Sequence, residues 1–411
     1  MKRFFRRLTG LLAVFMAVLF FFCGALMQLT PAALRTDRLT MSLPCVNYPL
    51  SLSYEGNDLS SQGEDSPQRL LNARLMLLGT FPVKDVSVSL ESRRYVIPGG
   101  TPFGIRLYTD GLVVSHTTPV YNGSREEYPA QEAGIEQGDV ILSVNGRPLT
   151  SNEQLLTLVE QSGGMPVTME IQHNNRNRTV SITPVLDSAN HEYRTGLYVR
   201  DSCAGLGTMT FIDPETGSFA GLGHGICDAE SGRLMPLLRG DIVPAEITSV
   251  RKSTCGNPGT LVGHFSGDES LGSLALNSEH GVYGTLRNLP AQTETVPVAY
   301  KQEVVRGKAV LLSSVDGGEP VPYAIEIEDI SYNNRSNSKN MIIRITDERL
   351  LRTAGGIVQG MSGSPILQNG RLAGAVTHVF VNDTVRGYAV FAENMMEMCD
   401  NLQQTIHDNA A

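Results

Sequence analysis

Hydrophobic positions along the chain change their pattern three times. The first pattern is an uncharged apolar run from Leu11 to Met27, preceded by Lys2, Arg3, Arg6 and Arg7. Four positive charges ahead of such a run leave the N-terminus in the cytoplasm and carry the remainder of the chain across the membrane. The run is at the short end for a spanning helix, so residues 1–29 read as a signal peptide or a signal-anchor helix. Phe22, before Cys23, stands where a lipoprotein processing site needs a small residue. From Thr30 to Gln68 the chain is polar, loosest at Ser60-Ser61-Gln62-Gly63-Glu64-Asp65-Ser66-Pro67. That composition buries too little apolar surface to order itself. Strand-like alternation returns from Val83 to Tyr95, so 30–97 reads as a linker with a lead-in strand.

Residues 98–186 carry a denser pattern. Gly104–Leu107 and Gly111–Ser115 read as strands. Pro129–Ile135 reads as a short helix stopped at Gly134, and Gly138–Gly146 as a strand ending in an Asn-Gly turn. After Ser151 as cap, Asn152–Gln161 places Leu155, Leu156, Leu158 and Val159 on a helical face. Val167–Ile171 and Thr179–Thr183 read as closing strands. This order, with its Ala133-Gly134-Ile135 and Gly138-Asp139-Val140-Ile141-Leu142-Ser143-Val144-Asn145-Gly146 string, resembles a PDZ domain of the kind attached to exported bacterial proteases. Such domains add a peptide strand to a sheet edge and hold its carboxylate in a loop of N–H groups. The resemblance implies Phe103, Gly104 and Ile105 for that loop, with Leu155 and Leu158 facing the groove; ordinary helix core is the other reading of the two leucines.

Past Gly196 short strands alternate with Gly, Asp-Pro and Asn turns: Gly207–Asp213, Val298–Val305, Ala309–Ser313, Tyr323–Glu328, Met341–Thr346 and Leu372–Phe380. A stretch of this kind over 195–405 predicts a β-barrel or double-barrel domain. The 41 glycines and 21 prolines agree with a turn-rich, mostly β protein. With 33 basic against 42 acidic residues and a formal charge of −9, nothing after the N-terminus offers the basic surface that nucleic acid requires. The six cysteines form no C-x-x-C pair, so no metal or other cofactor is expected. A Cys203–Cys227 or Cys227–Cys255 bridge would be open to an exported protein, but isolated thiols are the simpler reading and no disulfide is assigned.

Two glycine-packed stretches carry the chemistry. Gly360-Met361-Ser362-Gly363-Ser364-Pro365 sets a serine in a tight bend, with the Gly360 and Ser362 N–H groups free to meet an oxyanion. A surface turn is the bland alternative. Gly221-Leu222-Gly223-His224-Gly225 sets a histidine among neighbours too small to bury it, as a general base requires. His116, His173, His191 and His407 lack that setting. For the acid that fixes the base, Asp347 ranks first, at the end of a predicted strand; Asp228 favours a local turn contact, and Asp241, Asp268, Asp316 and Asp329 lie in turns. A Ser–Lys pair through Lys252, Lys301 or Lys339 is the chemical rival.

The order His, Asp, Ser with G-x-S-G-x-P resembles the chymotrypsin-like double-β-barrel proteases. More narrowly, Val96–Gly100, Gly196–Asp201, Leu222–Ile226, Asn337–Met341, Gly355–Pro365 and Gly374–Asp383 are similar to the stage IV sporulation protein B family of membrane-exported serine peptidases. The resemblance implies a triad of Ser362, His224 and Asp347, an oxyanion hole from the Gly360 and Ser362 backbone, and a place for His378 beside the substrate pocket, where a packing role is its more ordinary reading. Asp347 departs from the wider pattern, lying close before the serine rather than midway. The resemblance also implies a membrane-associated regulator of an intramembrane protease as substrate, action in the forespore intermembrane space, and self-cleavage in the Thr30–Gln68 segment. A non-catalytic PDZ scaffold of a membrane signalling complex is the remaining alternative.

Overall fold

The computed structural model describes residues 2–38, 43, 50–54, 68–174, 176–290, 294–332 and 338–410. Strand accounts for 51% and helix for 15%, the mostly β architecture that the residue pattern predicts. The N-terminal helix α1 spans Lys2–Leu29. Among the described residues no helix is long and apolar enough to cross a membrane. Seventeen apolar residues of helix reach about 26 Å, short of a hydrocarbon core about 30 Å thick.

The expected linker is corrected where it is described. Strands β1 (Ala33–Thr36), β2 (Leu50–Tyr54), β3 (Gln68–Leu77) and β4 (Phe81–Glu91) form a sheet in the order β1-β4-β3-β2. Alternate residues Ala73, Leu75 and Leu77, with Val86 and Val88, bury one face against Leu34 and Leu26. The polar tract hid this sheet because its apolar positions lie at its two ends. Residues 39–42, 44–49 and 55–67 of the expected linker lie outside the described residues. Ion pairs moor the sheet to the rest of the chain: Arg35 meets Glu393 at 3.6 Å and Glu397 at 2.6 Å, and Arg93 meets Glu303 at 2.8 Å.

After β5 (Tyr95–Pro98) comes β6 (Pro102–Thr117), and it overturns the expected boundary at residue 98. Its first half belongs to a barrel and its second half to the PDZ module. That module continues as β7 (Val120–Tyr121), β8 (Glu126–Glu127), α2 (Pro129–Glu132), β9 (Val140–Val144), β10 (Arg147–Pro148), α3 (Asn152–Gln161), β11 (Val167–His173), β12 (Arg176–Ile182), β13 (Val185–Leu186) and β14 (Tyr193–Arg194). The chain then returns along β15 (Leu197–Ile212), antiparallel to β6 from Leu197 opposite Thr117 to Thr208 opposite Pro102. The PDZ module is therefore an insertion within a long hairpin. Its core packs Leu112 and Val114 from β6 against Ile141, Val144, Leu155, Val159 and Met169.

With β16 (Ser218–Gly221), β17 (Leu237–Arg251), β18 (Thr260–Phe265), β19 (Gly272–Ser278) and β20 (Gly281–Leu286), the hairpin closes a first ring in the order β6-β17-β19-β20-β16-β15. Phe103, Ile105, Leu107, Phe219, Ile242 and Val282 fill it. After β21 (Val296–Pro297) comes a second closed barrel: β22 (Gly307–Ser313), β23 (Val321–Ile330), β24 (Met341–Ile345), β25 (Pro365–Gln368), β26 (Arg371–Phe380) and β27 (Asp383–Phe391), in the order β22-β23-β24-β27-β26-β25. Leu311, Ile325, Ile327, Ile343, Ile366 and Phe391 fill that one. Helix α4 (Glu348–Ala354) leads to the serine bend, and α5 (Ala392–Ala410) packs Met395, Met396 and Cys399 between the two rings.

The join between barrel and insertion is tight at Gly196, whose φ is +71° and where a Cβ would lie 2.2 Å from the Thr118 carbonyl oxygen. Gly196→Ala is expected to destabilise the chain by more than about 1 kcal/mol, read as a lower urea midpoint at unchanged slope.

Candidate active site

The serine bend crosses the seam between the rings, held chiefly by the opposite one. On β15 a register shift lies between Met209 and Phe211, which pack in different cores, while Thr208 and Thr210 both reach the serine bend. Thr208 donates its hydroxyl to the Gly360 carbonyl at 2.7 Å and its N–H to the Ser362 carbonyl at 3.1 Å; the Thr210 hydroxyl reaches the Gly363 carbonyl at 2.8 Å. From the bend's own barrel, the Gly363 N–H reaches Val376 at 2.8 Å. Gly363 has φ +94°, and a Cβ there would stand 2.0 Å from the Thr208 carbonyl oxygen. No other residue type fits. The buried Ser364 hydroxyl lies 3.5 Å from that of Ser313, a packing position.

The histidine loop leaves β16 at Gly221 and turns through Leu222, held at φ +66°. Gly223 packs so close to β26 that a Cβ would come 2.9 Å from the Thr377 methyl. Asn277 clamps the far side: its side chain accepts from the Ile226 N–H at 2.8 Å and donates to the Ile226 and Met235 carbonyls at 2.9 and 2.8 Å.

Ser362 and His224 line the same cavity, about 460 Å³, with Gly360, Thr377 and His378. Its remaining wall is largely aliphatic, with Ile105, Leu206, Leu222, Ile226, Val358 and Val379, and it includes the free thiols Cys203 and Cys227. The Ser362 hydroxyl donates to the Thr377 carbonyl at 2.8 Å, and His224 Nδ1 donates to the Gly225 carbonyl at 2.9 Å. That bond fixes the tautomer and leaves the Nε2 lone pair as the basic one. Burial pushes the His224 pKa below its ordinary value, partly offset by the Gly225 carbonyl, so the ring is neutral at neutral pH. The N–H groups of Gly360 and Ser362 meet no acceptor among the described residues.

Asp347 requires a correction. It caps α4, accepting from the Arg349 N–H at 2.9 Å, and its other oxygen accepts from the Ala324 N–H at 3.1 Å and the Arg349 guanidinium at 2.8 Å. The Arg349 guanidinium holds its carboxyl well below the usual carboxylate range. The strand end that made it a candidate is also a helix start, and the cap takes the side chain. Among the described residues no carboxylate is hydrogen-bonded to His224. Asp228 is held by Arg200 at 2.8 Å and by Ser231. The lysines of the rival Ser–Lys pair do not line the Ser362 cavity: Lys301 pairs with Glu393, Lys339 sits 5.2 Å from the Tyr388 ring centre, and Lys252 is exposed.

The PDZ expectations divide. Phe103, Gly104 and Ile105 form no carboxylate loop; they lie mid-strand in β6, paired with β15 on one side and with β17 on the other. A Gly-Pro turn before an apolar strand fits either role, and barrel closure claims this one. A groove of about 460 Å³ lies instead between α3 and the start of β15, lined by Leu155, Leu156, Val159, Gly196, Leu197 and Tyr198. Leu155 lines it while also buried in the module's core; Leu158 packs on that core and does not line the groove.

Comparison with known proteins decides the family. The SpoIVB peptidase S55 family profile matches residues 191–396. The chain belongs to the SpoIVB peptidase S55 family. A PDZ profile matches residues 120–173. Among curated relatives, the regulator of sigma-E protease RseP of Salmonella typhimurium is 32% identical over 72 residues, covering 18% of this chain and 16% of the relative. Serine protease HTRA1 of Xenopus laevis is 34% identical over 56 residues, covering 14% and 12%. The chain thus spans less than a fifth of the length of either relative. Among solved structures, the PDZ domain of an SdrC-like protein from Listeria monocytogenes aligns with TM-score 0.19 and 20% identity, over 22% of this chain and 90% of that one. The Rv3671c protease in its inactive form aligns with TM-score 0.26 and 14% identity, over 48% and 84%.

Thr208, Thr210, Asn277 and Thr377 escape a reading of motifs. The two threonines within the apolar Thr208-Met209-Thr210-Phe211 run are the one legible trace, since buried hydroxyls need acceptors. Thr208→Val is expected to cost about 1–2 kcal/mol by leaving the Gly360 carbonyl without its hydroxyl donor, and to slow phosphonate labelling of Ser362. For Asp347→Ala the loss is about 1 kcal/mol near neutral pH. Because the folded carboxyl titrates lower than the unfolded one, this stabilisation is complete above pH about 4 and fades as pH falls towards the depressed value. Urea titrations of both chains from pH 7 to pH 3 should therefore show the difference holding down to pH about 4 and narrowing below it.

Proposed function

We propose that the chain is an exported serine endopeptidase of chymotrypsin-like double-barrel form, with Ser362 as nucleophile and His224 as general base. The observation that carries this reading is the meeting of the Ser362 hydroxyl and the His224 imidazole in one cavity between two six-stranded rings. Ser362 Oγ, turning from the Thr377 carbonyl, attacks the peptide carbonyl carbon as its proton passes to His224 Nε2. The oxyanion settles on the N–H groups of Gly360 and Ser362. When the C–N bond breaks, His224 gives the proton to the departing amine, and a water activated by the same nitrogen releases the acyl group. The aliphatic wall favours an extended substrate with an aliphatic side chain beside the scissile bond.

The PDZ groove supports a peptide partner, laid as an added strand along the start of β15 beside α3. Membership of the SpoIVB family supports a role in sporulation signalling, with a membrane-associated regulator as substrate and the basic, apolar N-terminus directing export and tethering. Self-cleavage in the Thr30–Gln68 segment belongs to the same reading.

Ser362→Ala and His224→Ala are each expected to lower peptide hydrolysis by at least about 10³-fold and to leave the chain uncut, read by N-terminal sequencing of the purified protein. Hydrolysis by wild type should hold its plateau through neutral pH and fall only below the ordinary histidine value, as protonation of His224 removes the base. Unimpaired hydrolysis by Ser362→Ala would favour the scaffold reading, with catalysis located elsewhere.

A further inference from the structure

Strand β15 leaves one edge bare over most of its length. Its inner side is laddered to β6 from Leu197 to Thr208, whereas β16 pairs with its outer side only from Met209 to Ile212. The histidine loop extends that cover by one residue, the Leu222 N–H closing on the Thr208 carbonyl at 3.3 Å. Leu222 and Gly223, each at φ +66°, then carry the loop away. Among the described residues no backbone group pairs with the outer edge between Leu197 and Gly207. The ladder to β6 is unbroken from Ser202 to Thr208. Strand alternation therefore points the N–H and carbonyl of Leu206, Ala204 and Ser202 outward, as it does those of Thr208. An exposed row of this kind is a template for another strand.

Each end of the row opens into a cavity. Leu197, Tyr198 and Val199 line the PDZ groove, and α3 flanks the edge as far as Asp201, whose carboxylate accepts from the Asn152 N–H at 3.0 Å. Cys203, Gly205 and Leu206 line the Ser362 cavity, and the Thr208 N–H holds the Ser362 carbonyl. We propose that one extended polypeptide substrate fills both cavities at once, added antiparallel to β15 along this edge with its C-terminal residue at Gly196. This rests on Ser362 and His224 acting as nucleophile and base. Antiparallel pairing is the more stable arrangement. It also sets the C-terminal end at the turn into the strand, where peptide-adding domains hold a carboxylate. From Leu197 to Leu206 the strand advances about nine residues, or about 30 Å at the rise of an extended chain. The scissile bond thus lies about nine residues before the C-terminus of the substrate. The class that fits is a segment able to extend, with an apolar C-terminal residue for Leu155, Leu156 and Leu197 and an aliphatic one for the Ser362 cavity. A second copy of this chain would cover the edge too, but has no use for the serine and histidine at its end.

The test uses the full chain in detergent and free-acid peptides in which valine alternates with serine and lysine, so that equivalent bonds recur along each one. Wild type is expected to cut at one bond, about nine residues from the C-terminus by mass spectrometry of the products. Residue pairs appended to the C-terminus should move the cut by the same number. Ala204→Pro removes an outward N–H from the middle of the edge and is expected to cut at least about tenfold more slowly. Leu156→Asp, in the groove, should do the same. Ala204→Thr keeps the N–H and should recover most of the rate. Should the proline variant lose its cooperative thermal transition, N-methylation of the peptide between its two ends removes the same ladder from the ligand. A cut that stays put when residues are appended, or a rate for Ala204→Pro within about twofold of wild type, would overturn the shared occupant. A dimer in sedimentation that Ala204→Pro dissolves would also overturn it, by placing a second copy on the edge. Failure of the serine reading looks different: wild type would cut no peptide, or Ser362→Ala would cut as wild type does.

Discussion

The pairing of β6 with β15 is the constraint on which the rest of the molecule depends. The two 16-residue strands run antiparallel over almost their whole length. One end of the pair closes the first ring, and the other carries the PDZ module in its loop. Each strand is thus shared between two cores, with Phe103, Ile105 and Leu107 in one and Leu112 and Val114 in the other. Neither core can be completed without the register that completes its neighbour, since a one-residue slip would turn every side chain to the wrong face.

The same strand joins the two candidate sites. Leu197 and Tyr198, at the start of β15, line the PDZ groove, and Thr208 and Thr210, near its end, hold the serine bend. A hydrogen-bonded strand is stiff along its length, so the groove and the bend are set at a fixed span rather than tethered by a flexible linker. Holding Ser362 from the opposite ring also makes the bend sensitive to the seam. Any motion that parts the rings stretches the bonds to Gly360, Ser362 and Gly363 before it disturbs either barrel.

Legibility in the sequence tracked locality. The serine and histidine bends were readable because glycines at positive φ mark them within a few residues: Gly360 and Gly363 on one side, Gly223 on the other. The PDZ helix was readable from Ser151 and the spacing of Leu155 and Val159, and that cap and those buried faces are present. Features that depend on strands far apart were not readable. Phe103-Gly104-Ile105 fits a carboxylate loop in sequence, and only pairing with residues a hundred positions later shows it to be barrel wall. The N-terminal sheet was missed for a related reason, since its strands β1 and β4 pair in parallel across more than fifty residues. Asp347 was a local misreading: a carboxylate after a strand and before Glu348-Arg349-Leu350-Leu351 is a helix cap, and Arg349 was already there to take it.

The resting geometry of the site sets what a serine–histidine bond would cost to form. Ser362 and His224 are each satisfied by a carbonyl of their own surroundings, Thr377 for the hydroxyl and Gly225 for Nδ1, and neither bond engages the other side chain. Forming the serine–histidine bond means giving up one hydroxyl-to-carbonyl bond, a net exchange on the order of 1 kcal/mol. That is within the reach of a few substrate contacts and too small to keep a peptidase silent. A serine rotation alone is therefore a small barrier, and access to the aliphatic cavity and the seam that holds the bend are the larger constraints on Ser362. The weakly basic His224 sharpens this point. A buried base without a carboxylate stabilises its own imidazolium poorly, so attack gains most from contacts that form only when the proton has moved.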